Sequence, residues 1–119
     1  PDIQTSSVEN KTQLIGQVNT TKAYLEEKET GRKYDLQTES VLIGRLVSCD
    51  IRLPDESISL KHALILCENE RYYIKDLKSL NRTFLNDKQV IRKMRLHDGM
   101  KLTLGSVDFI FRQDEDGKI

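Results

Sequence analysis

The residues with the clearest chemical potential are an arginine, a serine and a lysine in loops between predicted strands. Arg45 comes directly after a strand that ends in Ile43-Gly44, and Ser59 and Lys61 lie in a later connection. A guanidinium suits a phosphate group, because it is planar, always charged and able to donate two parallel hydrogen bonds. Ser59 adds a short hydroxyl donor, and Lys61 adds a second positive charge. Their spacing indicates a local anion site, although residue types alone also fit three solvated loop side chains.

A catalytic role for the same segment has little support. Ser59 and His62 lie near each other in the sequence, which would suit a nucleophile and its base. The sequence has no nucleophile elbow, Walker phosphate loop or glycine-rich dinucleotide fingerprint. His62 also leads into an apolar strand, where a histidine more often orders a loop by hydrogen bonding. We therefore predict a binding module with no catalytic residues and no cofactor.

Composition excludes several other classes of function. Nineteen basic and nineteen acidic residues give a formal net charge of zero, so bulk electrostatics does not recruit the chain to nucleic acid or to a membrane surface. No apolar run approaches the roughly 18–20 residues that cross a bilayer. Cys49 and Cys67 are too few for a four-ligand zinc site, even with His62 and His97. We predict reduced cysteines, no metal site and an intracellular location.

The elements that must position these residues are predicted to be many short strands. Apolar runs are brief, rich in Val, Ile, Leu, Phe and Tyr, and interrupted by turn residues at close spacing. So many strands in 119 residues can bury their apolar faces only as a sandwich or barrel. The predicted strands are Gln13–Val18, Arg32–Leu36, Ser40–Gly44, Ile51–Leu53, Ala63–Glu68, Arg71–Asp76, Thr83–Leu85, Lys88–Val90, Lys101–Leu104 and Val107–Arg112.

The segments between and around these strands are predicted as follows. Cys67–Arg71 and Leu104–Val107 are typical of tight hairpins, and Asn69 suits a left-handed conformation. The stretch Lys22–Glu29 fits either a helical turn or an extended connection. We expect a flexible tail over residues 1–11, one domain over residues 12–113 and a second tail over residues 114–119.

Three motifs in order resemble those of forkhead-associated (FHA) domains. They are Gly44-Arg45, then Ser59-x-x-His62, then Ser79-x-Asn81-x-Thr83-Phe84-x-Asn86. The similarity runs from about Arg32 to Arg112. It implies an all-β sandwich of two twisted, mostly antiparallel sheets with about eleven strands. It also implies loops at one end that bind a phosphothreonine-containing peptide or protein.

The resemblance also implies a role for each site residue. Arg45 and Ser59 would hold the phosphate, with help from the Lys61 side chain and the backbones of Leu60 and Leu80. Asn81 would bind the main chain of the peptide. The specificity loops would contribute Ser57, Ile58, Lys78 and Arg82. The residues with structural roles would be Gly44 and His62, which shape the site, and Thr83 and Asn86, which stabilise the loop that carries Asn81.

Two departures from the family pattern keep an alternative open. The family usually has Arg, Lys or Asn where this sequence has Leu60, and glycine where it has Arg82. A scaffold with a degenerate pocket, which binds partners independently of phosphate, is the first alternative. The second is a small nucleic-acid-binding β domain, suggested by Arg92, Lys93 and Arg95. The small number of aromatic residues and the zero net charge argue against it.

The cellular setting is predicted from weaker signals. Thr12-Gln13 matches the Thr-Gln preference of DNA-damage-response kinases, so phosphorylated Thr12 is a candidate ligand for a second copy of the chain. Together with the family resemblance, this pair favours a nuclear signalling protein of the DNA-damage response or the cell cycle. Its host would be a checkpoint or meiotic kinase whose catalytic domain lies outside this sequence.

Overall fold

The computed structural model describes residues 23–114. These residues form eleven β-strands and no α-helix, and thus no helix that is long and apolar enough to cross a membrane. The strands are β1 (Ala23–Glu27), β2 (Lys33–Asp35), β3 (Ser40–Gly44), β4 (Ile51–Arg52), β5 (Ala63–Glu68), β6 (Arg71–Asp76), β7 (Thr83–Leu85), β8 (Lys88–Gln89), β9 (Met94–Leu96), β10 (Lys101–Leu104) and β11 (Val107–Gln113). The prediction of an all-β fold is confirmed.

The strands form two sheets that enclose the core between them. One sheet has six strands in the order β2-β1-β11-β10-β7-β8, and the other has five in the order β4-β3-β5-β6-β9. All pairs are antiparallel except β3 with β4. Strand residues alternate between buried and exposed positions, as in β3, where Val41 and Ile43 are buried. The predicted sandwich of two mostly antiparallel sheets is therefore confirmed.

Aromatic and branched side chains from both sheets fill the core. Phe109 and Phe111 of β11 are fully buried, and Phe111 packs against Tyr72 of β6 with ring centroids 5.6 Å apart. Because β11 and β6 belong to different sheets, this contact joins the two layers of the sandwich. The other fully buried large aliphatic side chains are Leu25, Ile43, Ile58, Ile65, Ile74, Leu96, Leu102 and Leu104.

Two strands differ from the sequence prediction. The ambiguous stretch Lys22–Glu29 contains strand β1, which lies between β2 and β11. Strand β9 was not predicted, because Arg95 and the preceding Arg92 and Lys93 give this segment few apolar residues. The predicted strand Gln13–Val18, the predicted N-terminal tail and Thr12 lie outside the described residues.

Tight turns join the strands as the sequence indicated. Asn69 and Glu70 have φ angles of 54° and 64°, which give the two-residue hairpin between β5 and β6. Gly105, with φ 58°, turns the chain between β10 and β11. Connections that follow β3, β4, β6, β8 and β10 all emerge at one end of the sandwich. The candidate site lies at this end.

Candidate anion-binding site

Arg45 is held in place by the connection between β4 and β5. Its backbone N–H donates to the Ser59 carbonyl over 3.0 Å, and its Nε donates to the Ile58 carbonyl over 2.6 Å. The two terminal Nη groups have no partner among residues 23–114, and the side chain is exposed. The Nε anchor thus fixes the direction of a guanidinium whose outer donors are available to an anion.

Gly44 allows the connection between β4 and β5 to pack closely against the end of β3. A Cβ atom at position 44 would overlap the Leu60 carbonyl oxygen and would lie 2.8 Å from its carbonyl carbon. On the other side of the connection, the His62 N–H donates to the Ile43 carbonyl over 2.8 Å. The absence of a side chain at Gly44 therefore determines how closely the β4–β5 connection, which carries Ser59, approaches Arg45.

His62 is fully buried and joins the two loops that form the site. Its Nδ1 accepts from the Ser59 N–H over 3.0 Å, and its Nε2 donates to the Arg82 carbonyl over 2.9 Å. A backbone N–H can only donate and a carbonyl can only accept, so these two contacts require the neutral tautomer protonated at Nε2. The ring thus orders the loops and has no nitrogen left for catalysis.

Ser59 presents its hydroxyl beside Arg45. Its Oγ accepts from the Leu80 N–H over 2.9 Å, which leaves the hydroxyl proton free to be donated to an anion. The expected role of the Leu80 N–H as a phosphate donor is corrected here, because Ser59 already occupies it. The Leu60 N–H has no partner within the described residues, and the exposed Lys61 side chain has none there either.

Asp76 closes the loop of residues 77–82, and the sequence analysis missed it. Its carboxylate accepts from the Ser79 hydroxyl over 2.6 Å, from the Ser79 N–H over 3.1 Å and from the Thr83 hydroxyl over 2.6 Å. Burial raises the pKa of Asp76, but the hydrogen bonds from Ser79 and Thr83 outweigh it, so the pKa lies below its ordinary value. The Asp-x-x-Ser spacing at the end of a strand was the available signal.

Asn86 does not stabilise this loop, contrary to expectation. It lies in the β7–β8 turn with φ 48°, where its N–H donates to the Lys101 carbonyl over 2.8 Å. Its Oδ1 accepts from the Lys101 N–H, also over 2.8 Å. Asn86 thus ties that turn to the start of β10, at the opposite end of β7 from Thr83. Thr83 does hold the loop, through Asp76.

Asn81 and Ser57 connect three loops at the same end. The Asn81 Nδ2 donates to the Ser57 carbonyl over 2.9 Å, which orients the amide, and its Oδ1 has no partner among residues 23–114. The Ser57 hydroxyl donates to the Asp55 Oδ1 over 2.7 Å and accepts from the Ser106 N–H over 2.9 Å. Ser57 thereby fixes the distance between the β4–β5 connection and the β10–β11 hairpin.

The expected specificity residues differ in where their side chains lie. Lys78 and Arg82 are exposed and have φ angles of 58° and 71°, in the left-handed region. Ile58 is only 1% exposed and belongs to the core, so its side chain cannot contact a ligand. This corrects its expected role: burial holds the apolar side chain inward, and its carbonyl instead anchors Arg45.

Arg52 was also missed as a contributor to the site. It lies on β4 beside Gly44, and its Nε donates to the Arg45 carbonyl over 3.1 Å. It therefore adds a second exposed guanidinium next to Arg45 and stabilises the backbone that carries Arg45. Its position directly before the buried Leu53 suggested only an alternating strand residue. Within residues 23–114, no three His, Cys, Asp or Glu side chains are grouped to hold a metal ion.

Comparison with known proteins agrees with this geometry. The family model described as "FHA domain" matches residues 41–105. The chain belongs to the FHA domain family. The match begins within β3 and ends at the β10–β11 hairpin, so it includes Arg45, Ser59, His62 and Asn81. An FHA domain is a binding module.

Several relatives come from Mycobacterium tuberculosis. Over 90 residues the chain is 33% identical to the transcriptional regulatory protein EmbR, with 76% of this chain and 23% of EmbR covered. Over 83 residues it is 35% identical to the FHA domain-containing protein FhaA, with 70% of this chain and 16% of FhaA covered. The chain thus spans less than a quarter of either relative.

Solved structures show the same architecture. EmbR in complex with a low-affinity phosphopeptide aligns with a TM-score of 0.74 at 33% identity, over 76% of this chain and 24% of that one. The FHA domain of FhaA, complexed with an intracellular domain of another protein, aligns with a TM-score of 0.71 at 33% identity, over 76% and 99% of the two chains.

Proposed function

We propose that this domain recognises phosphothreonine-containing peptides and thereby mediates phosphorylation-dependent protein–protein interactions. The observation that carries the proposal is the anchoring of Arg45 by Ile58 and Ser59 beside a serine hydroxyl that is free to donate. The phosphopeptide complex of the related EmbR supports the same function.

The geometry divides the ligand between two subsites. The Arg45 Nη groups and the Ser59 hydroxyl belong to two segments joined by hydrogen bonds, and both are donors for a phosphate. The Asn81 Oδ1 lies one loop away and is an acceptor for a main-chain N–H of the peptide. Arg52 adds positive potential near Arg45. A phosphate and an extended main chain are therefore recognised together, and the dissociation constant we expect is on the order of 0.1–100 μM.

Calorimetric titration with an oriented phosphothreonine peptide pool tests the proposal. We expect binding by the wild-type chain and none to the unphosphorylated pool, because about 1.5–3 kcal/mol would be lost with each charge-assisted hydrogen bond. A phosphoserine pool should bind more weakly, since threonine's methyl group adds about 0.8 kcal/mol by burial and stiffens χ1.

Arg45→Ala should abolish this binding with little change in the free energy of unfolding. The matched control is Arg71→Ala, which removes an exposed arginine from the hairpin at the opposite end of the sandwich. Equal losses in the two variants would mean that only general charge matters. No binding by the folded wild-type chain would favour the degenerate scaffold.

We also propose a cellular setting, on the basis of the sequence alone. The Thr12-Gln13 pair supports a nuclear protein of the DNA-damage response or cell cycle, with a kinase domain elsewhere in the host and self-association through phosphorylated Thr12. Imaging of the tagged full-length protein tests the location. A phosphate-dependent dimer that Thr12→Ala eliminates would support self-association, and a monomer phosphorylated at Thr12 would contradict it.

A further inference from the structure

The exposed apolar side chains of this domain are concentrated at one end. Within residues 23–114, four large apolar side chains are exposed: Val47 at 85%, Leu60 at 50%, Leu80 at 83% and Ile91 at 72%. All four lie on connections at the end of the sandwich that carries Arg45. Single exposed apolar residues are ordinary, but such a concentration beside a polar site marks an interaction surface.

The segment of residues 57–60 shows how these residues are ordered around the anion site. The Ser57 carbonyl accepts from Asn81, and the next two carbonyls, of Ile58 and Ser59, accept from Arg45. The Leu60 carbonyl then accepts from the Leu46 N–H over 3.2 Å. Residues 57–60 therefore contact first Asn81, then Arg45 and last Leu46, which precedes Val47.

Val47 and Leu60 thus form an apolar rim on one side of the site. Val47 follows Leu46, and Leu60 follows Ser59. Arg45 therefore lies between Asn81 and these two residues. Leu80 is not part of the rim, because it directly precedes Asn81 and its N–H donates to the Ser59 Oγ. Ile91 lies on the other side, because it follows Val90, whose N–H donates to the Thr83 carbonyl next to Arg82.

We propose that the apolar rim binds apolar side chains of the phosphopeptide, within about three positions of the phosphothreonine and on the side opposite the residues held by Asn81. Residues 57–60 span at most about 10 Å, the length of three residues of an extended peptide. An extended ligand with its phosphate on Arg45 and its main chain on Asn81 therefore passes over the rim. This inference rests on the proposed function and names its ligand class.

The backbone beneath the rim is already ordered, which favours binding. The Cys49 N–H donates to the Leu46 carbonyl over 3.0 Å, and the Cys49 Sγ donates to the Leu60 carbonyl over 3.4 Å. Little loop entropy is therefore lost when a ligand covers Val47 and Leu60. A second copy of the chain fits less well, because two side chains provide far less than the roughly 800 Å² per partner of a stable interface.

A positional scan of phosphothreonine peptides tests the proposal. Each of the four positions on either side of the phosphothreonine is occupied in turn by Leu, Ser, Lys or Glu, and dissociation constants are measured by fluorescence anisotropy. We expect leucine to bind about 10-fold more tightly than serine at one to three positions, all on one side, as for one partly buried leucine.

The variant Val47→Ser/Leu60→Ser should reduce this leucine-to-serine ratio to about 2-fold or less. The ratio is the readout because any general loss of phosphate affinity cancels in it. Ile91→Ser is the matched control and should keep the ratio near 10-fold. The single variants Val47→Ser and Leu60→Ser should each lower the ratio by a smaller factor.

Three outcomes would overturn the inference. Phosphopeptide binding with no apolar preference, or a preference that survives in the Val47→Ser/Leu60→Ser variant, would exclude the rim while leaving the proposed function intact. A second result would assign the rim to self-association. In it, the wild-type chain sediments as a dimer, the same variant sediments as a monomer, and the leucine-to-serine ratio of the peptide scan is unchanged. The absence of binding to every phosphopeptide would overturn the proposed function and this inference together.

Discussion

At the scale of the residue, the site consists of polar groups that are each anchored by one atom and keep other donors or acceptors unpaired within residues 23–114. Arg45 uses Nε for Ile58, Ser59 uses a lone pair for Leu80, and Asn81 uses Nδ2 for Ser57. Each group keeps its remaining capacity for a ligand. Anchored groups lose little side-chain entropy on binding, so a small number of contacts can give a specific complex.

Asp76 gives a prediction about stability and pH. Its pKa in the folded chain lies below the unfolded value of about 3.9, so its stabilising contribution is fully present above that value. The contribution is lost as the pH falls through the lower, folded pKa. Asp76→Asn should therefore cost about 1–3 kcal/mol of unfolding free energy at pH 7 and flatten the decrease of stability in acid.

Urea denaturation of wild type and Asp76→Asn at pH values between 7 and 2.5 measures this effect. Asp55 also has a lowered pKa, caused by hydrogen bonds from the Ser57 hydroxyl and N–H, so part of the acid sensitivity should persist in the variant. Parallel curves for the two proteins would show that Asp76 has no linked protonation.

Arg82 gives a prediction about backbone strain. Its φ of 71° is in the left-handed region, which costs a residue with a Cβ about 1–2 kcal/mol and glycine almost nothing. Glycine also loses more entropy on folding, so Arg82→Gly should stabilise the chain by about 0–1 kcal/mol. Arg82→Val should destabilise it by more than 1 kcal/mol, because a β-branched residue enters this region with greater strain. Thermal unfolding of the two variants checks both signs, and a valine variant as stable as the glycine variant would contradict the argument.

At the scale of the element, the end of β3 controls the site through Gly44. Gly44→Ala would force its Cβ against the Leu60 carbonyl, which is backbone and cannot rotate away. We expect a loss of about 1–3 kcal/mol of stability and a clear loss of phosphopeptide affinity, because Ser59 must move relative to Arg45. Calorimetry and denaturation on the same sample measure both quantities. Ser40→Ala, at the exposed start of the same strand, is the control and should change neither.

The sequence predicted elements well where a local pattern defines them. Alternation identified β3, β5, β6, β10 and β11, because these strands bury every second residue. It was ambiguous for β1, whose Glu26 and Glu27 also suit a helical turn, and it missed β9, whose charged neighbours conceal its pairing with β6.

The site was predictable only as far as its residues carry a motif. The ordered motifs correctly indicated four residues that come together, namely Arg45, Ser59, His62 and Asn81. Ile58 was assigned to a ligand loop, because sequence does not show that its side chain turns into the core. Arg52 acts through a hydrogen bond to the Arg45 carbonyl, and this contact leaves no local pattern. Asp76 left one local signal, the Asp-x-x-Ser spacing to Ser79, which the ordered motifs did not include.

At the scale of the whole molecule, the core and the ligand end are separate in structure. Apart from Ile58 and His62, the largest fully buried side chains lie on strands, whereas the donors for the ligand lie on connections at one end. The core determines whether the loops are held together, and the loops determine what binds. Changes in the core should therefore alter stability without altering the ligand affinity of the folded state.

A thermal-shift experiment tests this separation. A ligand that binds only the folded state at 100 times its dissociation constant adds about 2.7 kcal/mol, which for a domain of this size raises Tm by roughly 10 °C or more. Ile65→Val should lower the free energy of unfolding by about 0.5–1.5 kcal/mol through a small core cavity, yet show the same increase in Tm with phosphopeptide. Arg45→Ala should keep the Tm of the free chain and lose the increase. A smaller ligand-induced increase in folded Ile65→Val would show instead that core packing and loop geometry are coupled, since additive free energies are expected only for independent sites.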